Sequence, residues 1–383
     1  MRPRQRGVKY PMKSLKLTTL MVTILALLAT LSYAEKTTVD LSIAGLSART
    51  IAMGRAYVGV ADGADALFTN PAGIATAKSW GITSMQTKLL DRVDYKMLGG
   101  IYSLQTGVIG VGYIGAVTPA GFLTTDKASL TGATPISYGS NMLVLSYGKE
   151  AYKNTYIGAS LKALSNNFEG VDGSGSGFDL DLGILARPND QVKVGAVIQN
   201  ILPGDMGGSV TWKTNTKDTI PAYLKVGGSY LLNPNILIAA DLDIPASCSA
   251  PLALHSGVEW KPLPMLALRG GLDQSSTGKN ETVTDFAIGV GLNVAGFSFD
   301  YAYKNNSLVE NNNAHYISVA FSPDNIVKKA PPLVEQQAKK ANPNEPAFAS
   351  EKERNEYLYL VATGKTKAPV PAVVVTQAKV LGK

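Results

Sequence analysis

The sequence has almost none of the side chains that staple small folds or bind soft metals: one cysteine, Cys248, and two histidines, His255 and His315. A lone cysteine can form no intrachain disulfide, so stability must come from elsewhere. Two histidines and no CxxC or HExxH spacing argue against a zinc-type centre. No metal, cofactor or catalytic residue is therefore expected, and an enzyme is not the reading. The stretch Ser276-Thr277-Gly278-Lys279-Asn280 carries a Gly-Lys pair but lacks the upstream glycine and the following hydroxyl of a phosphate loop. After residue 34 no stretch approaches the roughly 18 consecutive apolar residues of a membrane helix.

Net charge is also scarce once the first residues are set aside. Arg2, Arg4, Arg6, Lys9, Lys13 and Lys16 precede an apolar run over 17–31 and the small-residue site Ser32-Tyr33-Ala34, the pattern of a secretory signal peptide over 1–34. Met12-Lys13-Ser14-Leu15-Lys16 is a complete basic start by itself, so Met1 and Met12 both stand as initiators. Removing six of the 36 basic residues and none of the 29 acidic ones leaves a mature net charge of about +1. The basic balance belongs to the leader, and nucleic acid loses its support as a partner.

What is abundant is short alternation. From 79 to 322 the chain breaks into fourteen runs of about 9 to 12 residues, each bounded by turn residues. Connections after even-numbered runs are tight, as at Gln105-Thr106, Asn233-Pro234 and Ala295-Gly296. Those after odd-numbered runs are longer, as from Thr118 to Ser140 and from Ile201 to Thr219. Short turns at one end and long loops at the other predict an all-β, transmembrane antiparallel barrel of about 14 strands in the bacterial outer membrane, with both termini in the periplasm.

The faces agree with this. Phe178, Leu180, Leu182 and Ile184 oppose Asp179 and Asp181; Leu252, Leu254, Val258 and Trp260 oppose His255 and Glu259; Phe297, Phe299, Tyr301 and Tyr303 oppose Asp300 and Lys304. A barrel in a lipid bilayer turns the apolar set outward. A soluble β-sandwich would bury it instead. Gly110, Gly112, Gly158, Gly195, Gly227, Gly271, Gly289 and Gly291 lie on the polar face and predict close approach of another backbone. Asp179, Asp181, Asp241 and Asp243 share that face, and a solvated lumen wall is the expected role, in preference to a cation site.

Fourteen strands enclose more space than wall side chains can fill. Residues 35–78 precede the first strand and are rich in small residues and turns. Within them Asn70-Pro71 forces an extended residue and then a turn. This segment is expected to form an N-terminal hatch inside the lumen. Residues 323–383, with Pro323, Pro331, Pro332 and Pro343, read as a periplasmic, flexible tail in which only Ser350 to about Ala362 could be helical.

The hatch stretch Met53-Gly54-Arg55-Ala56-Tyr57-Val58-Gly59-Val60-Ala61-Asp62, followed by Ala66-Leu67-Phe68-Thr69-Asn70-Pro71-Ala72-Gly73, resembles the hatch of the FadL-type outer-membrane transporters, and more closely their PorV/PorQ-like branch. Arg55 departs from the glycine common there. The resemblance implies uptake of hydrophobic small molecules such as long-chain fatty acids by ligand binding and hatch rearrangement. It makes Asn70, Pro71, Ala72 and Gly73 the ligand-gating hatch, with Leu67 and Phe68 as hatch contacts to ligand. The PorV-like branch implies an alternative, a barrel that serves protein secretion or surface attachment by docking a periplasmic or secretion-system protein through the tail.

Overall fold

The computed structural model describes residue 41, residues 46–123, 134–170, 173–246, 251–278, 281–307 and 313–325, and a few positions between 355 and 363. The expected leader, residues 1–34, and most of the expected tail, residues 323–383, lie outside the described residues. Residues 1–326 form one compact unit and 327–383 a second. In the second, Asn355, Glu356, Tyr357, Tyr359 and Leu360 are helical, within the stretch that the prolines left open to a helix.

Sixteen strands form one antiparallel sheet: β1 (Gly81–Leu89), β2 (Val93–Leu104), β3 (Gly107–Leu123), β4 (Thr134–Tyr152), β5 (Thr155–Glu169), β6 (Gly173–Ala186), β7 (Val192–Gln199), β8 (Ser209–Trp212), β9 (Lys217–Thr219), β10 (Tyr223–Asn233), β11 (Ile236–Pro245), β12 (Ala253–Leu263), β13 (Leu266–Gly278), β14 (Glu281–Val294), β15 (Phe297–Lys304) and β16 (Ala314–Phe321). Fourteen close into a ring. β1 pairs with β2 and with β16, so Met85 faces Met97 on one side and Ser318 on the other. Around the far side β6 pairs with β7 and β7 with β10.

The exceptions are β8 and β9, a small hairpin outside the ring. β7 is only eight residues long, and Asn200, with φ of +58°, turns the chain out of the wall. The other half of β6 then pairs briefly with β8, Gly175 opposite Trp212 and Ser176 opposite Thr211. This hairpin lies where an irregular loop was expected; strands of four and three residues are too short to show an alternation.

The faces sort as lipid requires. Leu98, Val111, Leu145, Leu161, Leu254 and Ile288 are among the large apolar side chains pointing outward and exposed, while Lys162, Asp181, Glu259, Arg269 and Asp273 point inward and are buried. A soluble sandwich would show the reverse. At the tight-turn end Trp80, Phe297 and Phe321 cluster, with ring centroids 5.1 Å (Trp80 to Phe321) and 4.7 Å (Phe297 to Phe321) apart, an aromatic girdle. Replacing Val258, which faces outward near the middle of β12, by arginine is expected to cost about 2 to 4 kcal/mol by the depth-dependent lipid penalty. Reversible unfolding from lipid vesicles measures this.

Candidate functional site: the lumen segment and the cavity beside it

Residues 46–77 fill the lumen. They begin with α1 (Ala48–Ala52), whose N-cap Ser47 accepts from the Thr50 amide and donates to Asp65 Oδ2 at 2.7 Å. Two 3-10 turns follow, η1 (Ala64–Phe68) and η2 (Pro71–Thr76). Small residues let this backbone lie on the wall, and the path touches one strand after another. The Ala48 amide donates to Ser318 Oγ on β16 at 2.7 Å. The Tyr57 and Val58 amides donate to Asp241 Oδ2 on β11 at 2.5 and 2.7 Å. Lys193 on β7 donates to the Val60 carbonyl at 3.2 Å, and Thr83 on β1 donates to Asp65 Oδ1 at 2.7 Å.

The Asn70 side chain is fully buried and uses both its amide nitrogen and its amide oxygen. Its Nδ2 donates to the carbonyls of Val58, within the segment, and of Ile184, on β6, at 3.2 and 3.1 Å; its Oδ1 accepts from the Ala72 amide at 3.2 Å. Thr69 is held as well, its carbonyl accepting from Gln199 Nε2 at the end of β7 at 3.2 Å. Pro71 at the first position of η2 sacrifices no amide bond there.

The wall meets this turn with a row of glycines. Gly148, Gly158 and Gly183 stand directly opposite one another on β4, β5 and β6. A Cβ on Gly158 would lie 2.4 Å from the Pro71 carbonyl carbon and oxygen, and one on Gly183 would lie 2.1 Å from Asn70 Oδ1. The row is a slot for Asn70 to Ile74. Leu67 and Phe68 also press on wall glycines, Leu67 on Gly110 and Phe68 on Gly112. The expectation of backbone approach holds for Gly158, Gly195 and Gly271; Gly110 and Gly112 instead make room for the Leu67 and Phe68 side chains, Gly227 for Asp241, Gly289 for the Ala52 Cβ and Gly291 for Arg269 and Asp300.

Asp179, Asp181, Asp241 and Asp243 do not line a solvated wall. All four are buried because the segment fills the space beside the wall or the chain folds over it. Asp179 accepts from the Leu202 amide at 3.0 Å, and Asp181 pairs with Lys162 at 2.8 Å and accepts from the Asn200 amide at 2.8 Å. Among the described residues no group of three or more His, Cys, Asp or Glu is arranged to hold a metal ion.

Arg55 organises the largest charge cluster. It sits at φ +65°, a conformation that favours glycine. Its guanidinium reaches Asp273 at 3.3 Å and Asp243 at 3.7 Å. Lys225 pairs with Asp243 at 2.9 Å, and Lys304 pairs with Asp273 and, at 3.5 Å, with Asp285. His255 lies between the two central carboxylates, 3.3 Å from Asp243 and 2.9 Å from Asp273.

Two cavities flank Arg55. One, of about 20 Å³, is also lined by Thr69, Gln199, Lys225 and Asp243; it has room for one water, which would reach Arg55 Nε and Thr69 Oγ1, both without a protein partner. The other is about 520 Å³ and lies at the loop-bearing end, among the ends of β1, β3 and β15 and the starts of β2, β4 and β16. Its walls are largely apolar, with Leu41, Ile51, Leu89, Val93, Tyr95 and Tyr316 among them. Phe68 lines the small cavity, and neither Leu67 nor Phe68 lines the large one.

No protein-family model and no curated protein matches the chain. Solved structures do. The deltaS2S3 mutant of Pseudomonas putida TodX, a monoaromatic hydrocarbon channel, is 14% identical, with 72% of this chain and 97% of that one covered and a TM-score of 0.50. CymD, another monoaromatic hydrocarbon channel, is 12% identical, covers 72% and 96%, and also scores 0.50. This chain shares the fold of the monoaromatic hydrocarbon channels. A Pseudomonas aeruginosa FadL homologue aligns at 12% identity over 77% of this chain and all of its own, with a TM-score of 0.47.

Within this channel fold the segment also has a pH-sensitive anchor. Arg49 NH1 contacts Asp62 Oδ1 at 2.7 Å and its Nε contacts Glu259 at 3.0 Å. Burial disfavours the Asp62 carboxylate, but Arg49, with Lys193 and the Tyr57 hydroxyl, outweighs burial and holds its pKa below the ordinary value. A depressed carboxylate contributes stability above its unfolded pKa and loses it as pH falls through the folded one. Protection of the amides over 46–62, relative to their intrinsic exchange at each pH, is therefore expected to fall only below about pH 4, the ordinary carboxylate range, and Asp62→Asn is expected to remove the part of that step carried by Asp62, Glu259 remaining on Arg49. Exchange mass spectrometry against pH reads both.

Proposed function

We propose that this chain is an outer-membrane channel of the FadL type that takes up hydrophobic small molecules. The observation that carries the reading is the apolar cavity of about 520 Å³ beside a lumen-filling segment, of the size that accepts a drug-sized ligand. The segment acts as the hatch, and a molecule held in the cavity passes inward when the hatch rearranges. Asn70, Pro71, Ala72 and Gly73 form its latch. Leu67 and Phe68 seat the hatch on Gly110 and Gly112, and Phe68 borders the inner void. The tight turns and both termini face the periplasm, where the tail would meet any protein partner.

The latch carries a definite expectation. Asn70→Ala deletes both donors and the acceptor, leaving buried Val58 and Ala72 backbone groups without their partner, a cost of about 1 to 3 kcal/mol borne by the hatch and not by the wall. Amide exchange over 64–77 should accelerate while the barrel's heat-resistant migration in gels is unchanged.

The function is tested by accumulation of a radiolabelled apolar compound in cells with and without the chain. Chain-dependent accumulation that changes in the Asn70→Ala/Pro71→Ala variant is the expected result. No chain-dependent accumulation, with stoichiometric protein partners retained through the tail, would move the reading to the PorV/PorQ-like alternative of secretion or surface docking.

A further inference from the structure

We infer that the cavity selects uncharged ligands and that Asp285 is a residue that sets this preference; the inference rests on the uptake reading above and narrows its substrate class. Three charged residues line the cavity among the described residues: Arg55, Lys304 and Asp285. Each cation is already committed. Arg55 is shared between Asp273 and Asp243, and Lys304 between Asp273 and Asp285. Lys225 completes the cluster on Asp243.

The cluster holds no surplus positive charge. Arg55, Lys225 and Lys304 are matched by Asp243, Asp273 and Asp285. His255 adds a positive charge when protonated, but Asp241, its neighbour in the β11 to β12 register, adds a negative one. A ligand carboxylate entering the cavity would add an anion to a balanced set and meet Asp285. To gain a cationic partner it would have to break into a buried ion pair, because the other polar groups on the wall, among them Thr118, Tyr138 and Ser140, are neutral, and a buried charge without a counter-charge is disfavoured. An alcohol, ester or hydrocarbon of the same length has no such cost. It would meet Leu89, Val93, Tyr95 and Tyr316 on the apolar wall.

Asp285 is the member whose loss should be tolerated. It lies at the edge of the cluster, and its Oδ1 accepts from the Ser307 amide at 2.9 Å, a bond that asparagine can keep. Asp285→Asn leaves Lys304 with one carboxylate instead of two. The experiment is equilibrium binding of radiolabelled 1-dodecanol and dodecanoate to the full-length protein in amphipol near pH 8, where the acid is ionised. The wild type is expected to bind dodecanol at least about tenfold more tightly than dodecanoate, and Asp285→Asn to narrow the ratio of the two affinities by about tenfold. Dodecanoate binding as tightly as dodecanol to the wild type overturns the inference and leaves uptake standing. A wild-type preference unmoved in Asp285→Asn overturns the role of Asp285. Binding of neither probe overturns the uptake reading itself.

Discussion

Gly158→Val is expected to undock the hatch without opening the wall. A Cβ alone would stand 2.4 Å from the carbonyl carbon and oxygen of Pro71 and 2.5 Å from the Ala72 nitrogen, and these are backbone atoms that cannot rotate away. Overpacking a tight interior contact typically costs about 1 to 3 kcal/mol, and the valine adds two methyls to a Cβ that already has no room, so about 3 kcal/mol or more is expected. Most of that is relieved if η2 leaves its slot. The expected signature is a large increase in amide exchange over 64–77 and in protease access there, with strand amides still protected. The control is Gly270→Val. Gly270 is on the same sheet but faces outward, and a Cβ there has nothing nearer than 4.0 Å. Similar exchange in both variants would mean that the slot does not hold the hatch.

The second large effect is expected at Arg55. Arg55→Ala removes the cation shared by Asp273 and Asp243, both almost fully buried. Removing one partner of a buried ion pair costs about 3 to 5 kcal/mol, because the remaining charge is left uncompensated. Lys225, Lys304 and His255 remain near the two carboxylates and should keep the cost toward the lower end. Relief of the positive φ is no remedy, since alanine is strained there too. Arg55→Lys is expected to recover part of the loss, as a single ammonium cannot span both carboxylates in the same geometry. Chemical unfolding in detergent compares the three proteins.

Both expectations bear on what could be read before the fold was seen. The fourteen wall strands were legible because turn residues bound each run and most runs alternate with a period of two, even where no inward charge marks the face: β3 has no charged residue, and on β2 Asp94 and Lys96 share the outward face with Leu98. Strand β6, with Asp179 and Asp181 opposite Phe178, Leu180 and Leu182, shows it plainly. The Asn70-Pro71 turn was legible from local chemistry. The company it keeps was not. Asn70 lies 114 residues from Ile184, whose carbonyl it binds, and no local pattern carries that pairing.

The inward aspartates were misjudged for a related reason. Alternation puts Asp241 and Asp243 in the lumen, but only the path of residues 46–77 decides whether the lumen beside them is water or protein. Asp241 turns out to hold two amides of that segment, those of Tyr57 and Val58. A partial signal was present, since inward glycines at Gly158, Gly195 and Gly271 leave the space a second backbone needs. Arg55 stood out in the sequence only as a departure from a glycine. Its conformation is still one that glycine prefers, and its three acidic or basic neighbours on β11, β12 and β13 lie near one another only once the strands are in register.

The central claim is that the hatch must move for a hydrophobic molecule to pass. A Cβ on Gly148 would lie 3.4 Å from the Ala75 Cβ, close to the separation of about 3.5 to 4.5 Å that a disulfide spans, and also 2.9 Å from Ile74 Cγ1 and 3.0 Å from the Pro71 carbonyl oxygen, so Gly148→Cys alone is the control for crowding in the slot. In a background with Cys248→Ser, the pair Ala75→Cys and Gly148→Cys would tie η2 to the wall and leave the large cavity untouched. The decisive measurement is uptake of a radiolabelled neutral apolar compound by cells carrying this variant, before and after reduction. Uptake blocked when oxidised and restored when reduced is the predicted result; equal uptake in both states, with the disulfide shown to be formed, would contradict the account.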